Sequence, residues 1–231
     1  MQERSDQQAQ LHHRIALGHL DAGNLPAAFS SLFEAQKLDP EDAAIQNSLG
    51  LAYFLKEKYD LSELHFRKAV QLNKNFTDAK NNLGRVYLEK GKYDDAQKLF
   101  NEVASDLTYP YPEKPLLNLG ITYFKRNEYG RALPYFAKSI EAKRENCLAQ
   151  NYYGRSLLEL RDYSQAAKSL DRAVGFCQRM QFDEPHYFSA VAHLKAGDQS
   201  KAIARLEEVI KLYSEGAYND KAKSLLKTLR N

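Results

Sequence analysis

Residues 77–100 read TDAKNNLGRVYLEKGKYDDAQKLF and are the clearest copy of a unit that recurs along the chain. Apolar and small residues recur at helical spacing on both sides of a Lys-Gly-Lys break: Leu83, Gly84 and Tyr87 before it, and Tyr93, Ala96 and Phe100 after it. Gly84 and Ala96 are small enough to let two helices approach closely. The stretch therefore predicts a helical hairpin whose remaining apolar surface is covered by neighbouring hairpins.

The same pattern recurs about every 34 residues, and in this it resembles the tetratricopeptide repeat. The chain divides into a polar segment, six copies and a final amphipathic segment: 1–8, then 9–42, 43–76, 77–112, 113–146, 147–182 and 183–216, then 217–231. The resemblance implies an all-α fold, a right-handed superhelical solenoid of six helix pairs. The first helix of each pair would line a concave groove, and the last segment would form a C-terminal capping helix.

Composition excludes several classes of function. Lys and Arg total 33 against 30 Asp and Glu, and the pI is about 8.6, so no strong field favours nucleic acid or an anionic membrane surface. No stretch approaches the about 18 uncharged apolar residues of a membrane span. The opening residues, MQERSDQQ, lack the apolar core of a signal peptide, so we expect no export signal within this sequence.

Residue types that carry catalysis are present but are not arranged for it. The six histidines include no HExxH motif, and no cysteine or carboxylate set accompanies them. His19 and His193 take the place that tyrosine takes in other copies, which predicts packing. No phosphate-binding loop, nucleophile elbow or pair of catalytic carboxylates is found. We therefore expect no enzyme activity, no cofactor and no metal.

Positions around each Leu-Gly pair that the hairpin core does not need should face the groove. They are Asn47, Leu51, Phe54, Asn81, Arg85, Leu88, Leu117, Asn118, Ile121, Phe124, Asn151, Arg155 and Leu158. Amide side chains can hydrogen-bond a peptide backbone, and apolar ones can bury its side chains, so a protein segment is the expected ligand. For the apolar members, packing between adjacent first helices is an equal alternative.

One subclass of such repeats, the carboxylate clamp for chaperone tails, is not expected here. The clamp needs Lys, Asn and Arg side chains that converge on a C-terminal carboxylate. Those places are occupied by His13, Leu17, Ser48, Asp78 and Asn82. The chain is therefore not predicted to bind chaperone tails.

The two cysteines, Cys147 and Cys177, fall at the start and the end of the fifth predicted hairpin. These ends lie side by side in an antiparallel pair. A disulfide there would close a loop of about 30 residues and contribute about 3 to 4 kcal/mol on the chain-entropy model. Two buried, reduced thiols are the alternative.

An insertion ends the third copy. Residues 107–115 read LTYPYPEKP and lead directly into the Leu-Gly helix of the fourth copy. One interpretation is a rigid linker, because prolines hold the chain extended. In a six-repeat chain of this size, however, a Tyr-Pro-rich insertion before an Asn-Leu-Gly helix, here within 106–120, resembles the PilF/PilW/Tgl family of type IV pilus biogenesis lipoproteins.

This resemblance implies a pilotin, a periplasmic lipoprotein anchored to the outer membrane that helps the pilus secretin to localise and assemble. The groove would then grip a segment of the secretin, and an oxidising periplasm would favour the disulfide. Such lipoproteins start at an acylated cysteine, and none precedes Cys147, so the resemblance implies a lipid anchor that this chain lacks. The alternative is a generic scaffold or a subunit of another complex, in the cytoplasm or the cell envelope.

Overall fold

The computed structural model describes residues 2–180 and 182–230, and this part of the chain is helical, without a β-strand. Its helices are α1 (Gln2–Asp21), α2 (Leu25–Leu38), α3 (Ala43–Leu55), α4 (Tyr59–Leu72), α5 (Thr77–Glu89), α6 (Tyr93–Ala104), α7 (Glu113–Lys125), α8 (Tyr129–Ala142), α9 (Cys147–Glu159), α10 (Tyr163–Cys177), α11 (Glu184–Lys195), α12 (Gln199–Leu212) and α13 (Asn219–Arg230). A 3-10 turn at Gln178–Met180 follows α10. The predicted all-α class, with six helix pairs and a terminal helix, is confirmed for these residues.

The helices belong to two compact units, Met1–Pro110 and Tyr111–Asn231. In the first unit α1, α3 and α5 each pack with the helix that follows, and α2 and α4 also contact the next pair. In the second unit α7, α9 and α11 do the same, and α13 packs on α12. Each unit therefore stacks its hairpins in chain order.

Helix starts follow the predicted copies closely. Helices α3, α5, α7 and α9 begin at the first residue of a copy, and α11 begins one residue later. Helix α1 starts inside the polar segment 1–8, so the described residues of that segment continue the first helix. Residues 1, 181 and 231 lie outside the described part. Each belongs to one of the predicted segments 1–8, 147–182 and 217–231, so one residue of each of these segments is not described.

Within a hairpin, the two helices approach closely where a glycine of the first helix faces a large side chain of the second. A Cβ atom on Gly84 would lie 2.6 Å from Cε1 of Phe100, closer than side chains approach one another. Phe100 is fully buried, so the space that glycine leaves is filled by its ring. Gly50 faces the ring of Phe66 and Gly120 that of Phe136 in the same way, while Gly154 faces the branched side chain of Leu170.

The turn inside each hairpin places one residue in the left-handed backbone region. At Gly91, for example, φ is +71°. The amide of the next residue, Lys92, then donates to the carbonyl of Tyr87 at 2.8 Å. The corresponding turn residues are Gly23, Glu57, Gly91, Asn127, Arg161 and Gly197.

The first part of the proline-rich insertion folds back onto α5. Tyr109 is buried, and its hydroxyl donates to Oδ1 of Asp78 at 2.7 Å. The carboxylate of Asp106 accepts hydrogen bonds from Thr77 Oγ1 at 2.8 Å and from the Thr108 amide at 3.0 Å. Bonds from Thr108 and Thr77 hold the pKa of Asp106 below its usual value. This part of the insertion is thus tied to its own repeat rather than acting only as a linker.

Candidate protein-binding groove

In the first unit, the predicted groove residues lie on the neighbouring first helices α3 and α5. The side chains differ in burial: Asn81 and Leu88 are buried, whereas Asn47, Leu51, Phe54 and Arg85 are half-buried. Asn47 Oδ1 accepts a hydrogen bond from Asn82 Nδ2 at 3.1 Å, which links α3 to α5. The half-buried members leave amide, apolar and cationic surface together, as a peptide-binding face requires.

A cation lies over a ring at this face. The guanidinium carbon of Arg85 is 4.5 Å from the ring centroid of Phe54, and the ring of Tyr59 meets Phe54 edge-on at 5.6 Å. Burial lowers the pKa of Arg85, and the nearby Glu89 opposes that shift. Arg85 stays charged, because a guanidinium does not lose its proton in proteins.

In the second unit, the predicted residues lie on α7 and α9. On α7, Asn118 is buried. Three half-buried side chains of the same helix pack around the buried rings of Tyr123 and Phe136, namely Leu117, Ile121 and Phe124. On α9, Asn151 is buried, and Arg155 and Leu158 are half-buried. The apolar members therefore contact the core and also retain exposed surface.

Arg155 repeats the arrangement of Arg85 and adds a partner. Its guanidinium carbon lies 4.8 Å from the centroid of Phe124 and 4.5 Å from that of Phe188. Its NH1 group forms an ion pair with the carboxylate of Glu184, at the start of α11. Nδ2 of Asn151 donates to the same carboxylate at 3.3 Å. A salt bridge between two aromatic rings thus joins α7, α9 and α11.

The Oδ1 atom of Asn151 has no hydrogen-bond partner within the described residues, although this side chain is completely buried. A buried carbonyl acceptor without a donor is costly. The carboxylate of Glu184 favours this amide orientation, because the other would place Oδ1 against that carboxylate.

Sequence reasoning missed three side chains at this face, namely Asn82, Tyr152 and Phe188. Tyr152 packs edge-on against Phe124 at 5.1 Å, and Phe188 covers the far side of Arg155. Asn82 and Tyr152 stand two positions before the glycine of their copies, the position that Asn118 holds in the fourth copy. That shared register is the signal that could have found them.

A polar cluster links α10, α11 and α12. Asp171 accepts hydrogen bonds from Ser189 Oγ at 2.7 Å, His193 Nε2 at 3.0 Å and Arg205 Nε at 3.1 Å. Burial raises the pKa of Asp171, but the bonds from Ser189 and His193 and the charge of Arg205 outweigh it, so the net shift is downward. The serine bonds to the carboxylate and not to the histidine, so the cluster lacks the relay of a hydrolase triad.

Among residues 2–180 and 182–230 there is neither a metal-binding cluster nor a membrane-spanning helix. No three His, Cys, Asp or Glu side chains there converge as metal ligands do. None of the helices in these ranges combines the length and apolar character that crossing a bilayer demands.

The two cysteines lie at the open end of the α9–α10 hairpin. Their sulfurs form a disulfide with the Cα atoms 5.1 Å apart, and both residues are buried. Ala173, Phe176 and Phe182 pack around the bond. The structure thus has the bridged state, the one that an oxidising compartment maintains.

Comparison with families of known proteins finds three models of the tetratricopeptide repeat. One matches residues 13–78 and 117–179, a second matches 77–145 and a third matches 189–216. No curated protein matches the sequence.

Solved structures include similar chains, two of which have nearly the same length as this one. PilF of Pseudomonas aeruginosa is 21% identical, with a TM-score of 0.80 over 95% of this chain and 98% of that one. PilW, described as a widely conserved type IV pilus biogenesis factor, is 17% identical, with a TM-score of 0.83 over 96% and 98%. A chain of the Cut9–Hcn1 assembly of the APC/C is 15% identical, with a TM-score of 0.84 over 97% of this chain but only 43% of that one. At these identities the likeness confirms the fold alone.

Proposed function

Because the chain belongs to the tetratricopeptide-repeat family, whose helix pairs form a scaffold for protein–protein interaction, we propose that it is a pilotin of a type IV pilus. In this proposal it is not an enzyme. It binds a segment of the pilus secretin and assists the localisation and assembly of the secretin in the outer membrane. Its working form would be periplasmic and held at the membrane by a lipid on a residue outside this sequence.

The observation that carries the proposal is the extent of the overlap with the two pilus proteins. The chain covers 98% of both PilF and PilW, so it corresponds to each of them over nearly their whole length. PilW is a pilus biogenesis factor, and transfer of that role to this chain is our inference. The insertion at 107–115 and the disulfide between Cys147 and Cys177, expected in an oxidising compartment, support it.

The groove supplies the binding chemistry in this proposal. Phe54 and Phe124 offer ring surface in the first and the second unit, and each lies beneath an arginine. Half-buried rings with a polar rim are typical hot spots of protein interfaces. A secretin segment bound at either unit would bury its apolar side chains on the ring of that unit.

Deletion of the gene in its source organism tests the proposal. We expect secretin monomers to persist while heat-stable multimers and surface pili disappear, and a wild-type copy to restore both. The assay is an immunoblot of unboiled membrane fractions. Normal multimers in the deletion strain would rule out a pilotin.

A generic scaffold is the second candidate, and the overlap with Cut9–Hcn1, in an assembly other than the pilus, favours it. The native N-terminus separates the two, because a pilotin would begin at an acylated cysteine. Mass spectrometry of protein isolated from its own membranes should find that lipid. An unmodified cytoplasmic N-terminus would favour the scaffold.

A further inference from the structure

Arg85 is a half-buried cation without an anionic partner in the described part of the chain. No carboxylate there lies within 4.0 Å of its nitrogen atoms, and no acceptor there hydrogen-bonds to its guanidinium. Its contact is the ring of Phe54, 4.5 Å below. Glu89, one turn further along α5, acts on it only through its charge.

Arg155 shows how the same arrangement is completed. Arg85 and Arg155 each follow the glycine of their copy, and each stacks on the phenylalanine four positions after the glycine of the preceding copy, Phe54 or Phe124. On Arg155 the carboxylate of Glu184 binds the NH1 group of the guanidinium. An acidic side chain is therefore what this stack accepts within the same protein.

The unfilled donors of Arg85 have a physical cost. A guanidinium carries five N–H donors in a planar fork that matches a carboxylate. Burial removes part of its water, which is why its pKa falls. A carboxylate that arrives at such a site gains charge-assisted hydrogen bonds, while much of the desolvation has already occurred in the free protein.

We propose that the Arg85–Phe54 pair is a receptor site for an acidic side chain, Asp or Glu, within the partner segment. The carboxylate would bind Arg85 as Glu184 binds Arg155, and the methylene groups of the acid would lie against Phe54. The inference rests on the proposed function, because it takes the groove as the place where the partner segment lies. It specifies the chemistry of that segment at one position.

Selection from a displayed library of random twelve-residue peptides tests the site. The peptides are fused to a carrier through their C-terminus, so that only side-chain carboxylates are offered. The full chain is the bait, as wild type, R85Q, R85E and the control R67Q. Arg67 also lies over a ring, that of Tyr87 at 5.6 Å, but belongs to the second helix of its pair and is exposed.

We expect wild type and R67Q to enrich an acidic residue at one fixed position of an otherwise apolar motif. R85Q should lose that preference, and R85E should replace it by Lys or Arg. Circular dichroism establishes that each bait is folded. Should R85E fail to fold, the comparison of wild type with R85Q decides the question.

Affinities of one enriched peptide provide the quantitative arm. Replacement of its acid by the matching amide should weaken binding to wild type about tenfold and leave binding to R85Q nearly unchanged. Enrichment of motifs without a fixed acid, or an equal acid preference in R85Q, would overturn the site but leave a peptide-binding groove. A library that yields no enriched peptide would contradict both the site and the groove.

Discussion

Glycine at the helix contact decides whether two helices can pair, and Gly84 is the clearest case. We expect Gly84→Ala to lower the free energy of unfolding by about 1 to 3 kcal/mol, because the added carbon meets the buried ring of Phe100 at 2.6 Å. Gly175→Ala is the control, since an added Cβ there meets no atom within 4 Å. That change should raise stability by up to about 1 kcal/mol, because alanine favours the helix. Urea denaturation measures both; equal effects would mean that the ring contact does not decide pairing.

Two buried histidines, His13 and His186, and the half-buried His65 should make stability depend on pH. Burial lowers the pKa of His13, His65 and His186, so each binds a proton more readily when the chain is unfolded. The stability that the neutral histidines contribute to the folded state is complete above their unfolded pKa of about 6.5. It is lost as the pH falls through the lower pKa that they have in the folded state. The urea midpoint should therefore fall from pH 7 to pH 5.5, above the range where carboxylates titrate. The variant His65→Gln should show a smaller decrease of the urea midpoint over this pH range. A midpoint that rises on acidification would contradict the proposed role of the histidines.

The helical hairpin depends on a turn residue with positive φ, and several copies lack glycine there. Glu57 has φ +57°, which costs a residue with a Cβ about 1 to 2 kcal/mol. We expect Glu57→Gly to raise the free energy of unfolding by up to about 1 kcal/mol once the entropy of glycine is subtracted, and the thermal midpoint to rise with it. Gly91→Ala, at the same place in the next hairpin, should lower it. If both changes shift the midpoint in the same direction, turn strain is not the cause.

The disulfide constrains the α9–α10 hairpin. Replacement of Cys147 and Cys177 by serine should lower stability by about 3 to 4 kcal/mol on the chain-entropy model, since the bridge spans 30 residues. Reduction of the wild type with dithiothreitol before urea denaturation should give a similar loss. The double variant serves as the control, because the reductant should leave its midpoint unchanged. If the reductant leaves the urea midpoint of the wild type unchanged, the disulfide does not contribute to stability.

The helix pairs could be predicted because their determinants lie close together in sequence. Gly84 and Phe100 are 16 residues apart and recur with the repeat, so spacing alone reveals the hairpin. The stack of Arg85 on Phe54 and the ion pair of Arg155 with Glu184 could not be predicted in this way. These pairs join neighbouring repeats, and they depend on how far one hairpin slides along the next.

The turns show a second gap between sequence and structure. Gly91 indicated the end of a helix in the sequence. Glu57 and Arg161 occupy the same left-handed backbone region, but neither residue type indicates a turn. Backbone strain of this kind persists only where the surrounding structure enforces it, so the local sequence does not reveal it. The role of the groove residues in partner binding stays a prediction, since their positions establish a surface and not an occupant.

At the scale of the whole molecule, each of the two units carries one arginine stacked on one phenylalanine of the groove. In the second unit Glu184 completes the stack, while in the first the donors of Arg85 remain open within the described residues. Each unit by itself therefore offers ring surface to a protein segment, and the first unit also offers an open charge.

The most direct test of the central claim is calorimetric titration of the purified chain with the periplasmic region of the secretin encoded in the same genome. We predict saturable one-to-one binding, which the double replacement Phe54→Ala and Phe124→Ala weakens at least about tenfold. Circular dichroism of the double variant should show unchanged helix content, since both rings are only half-buried. Absence of binding by the wild type, or equal affinity of a folded double variant, would contradict the account.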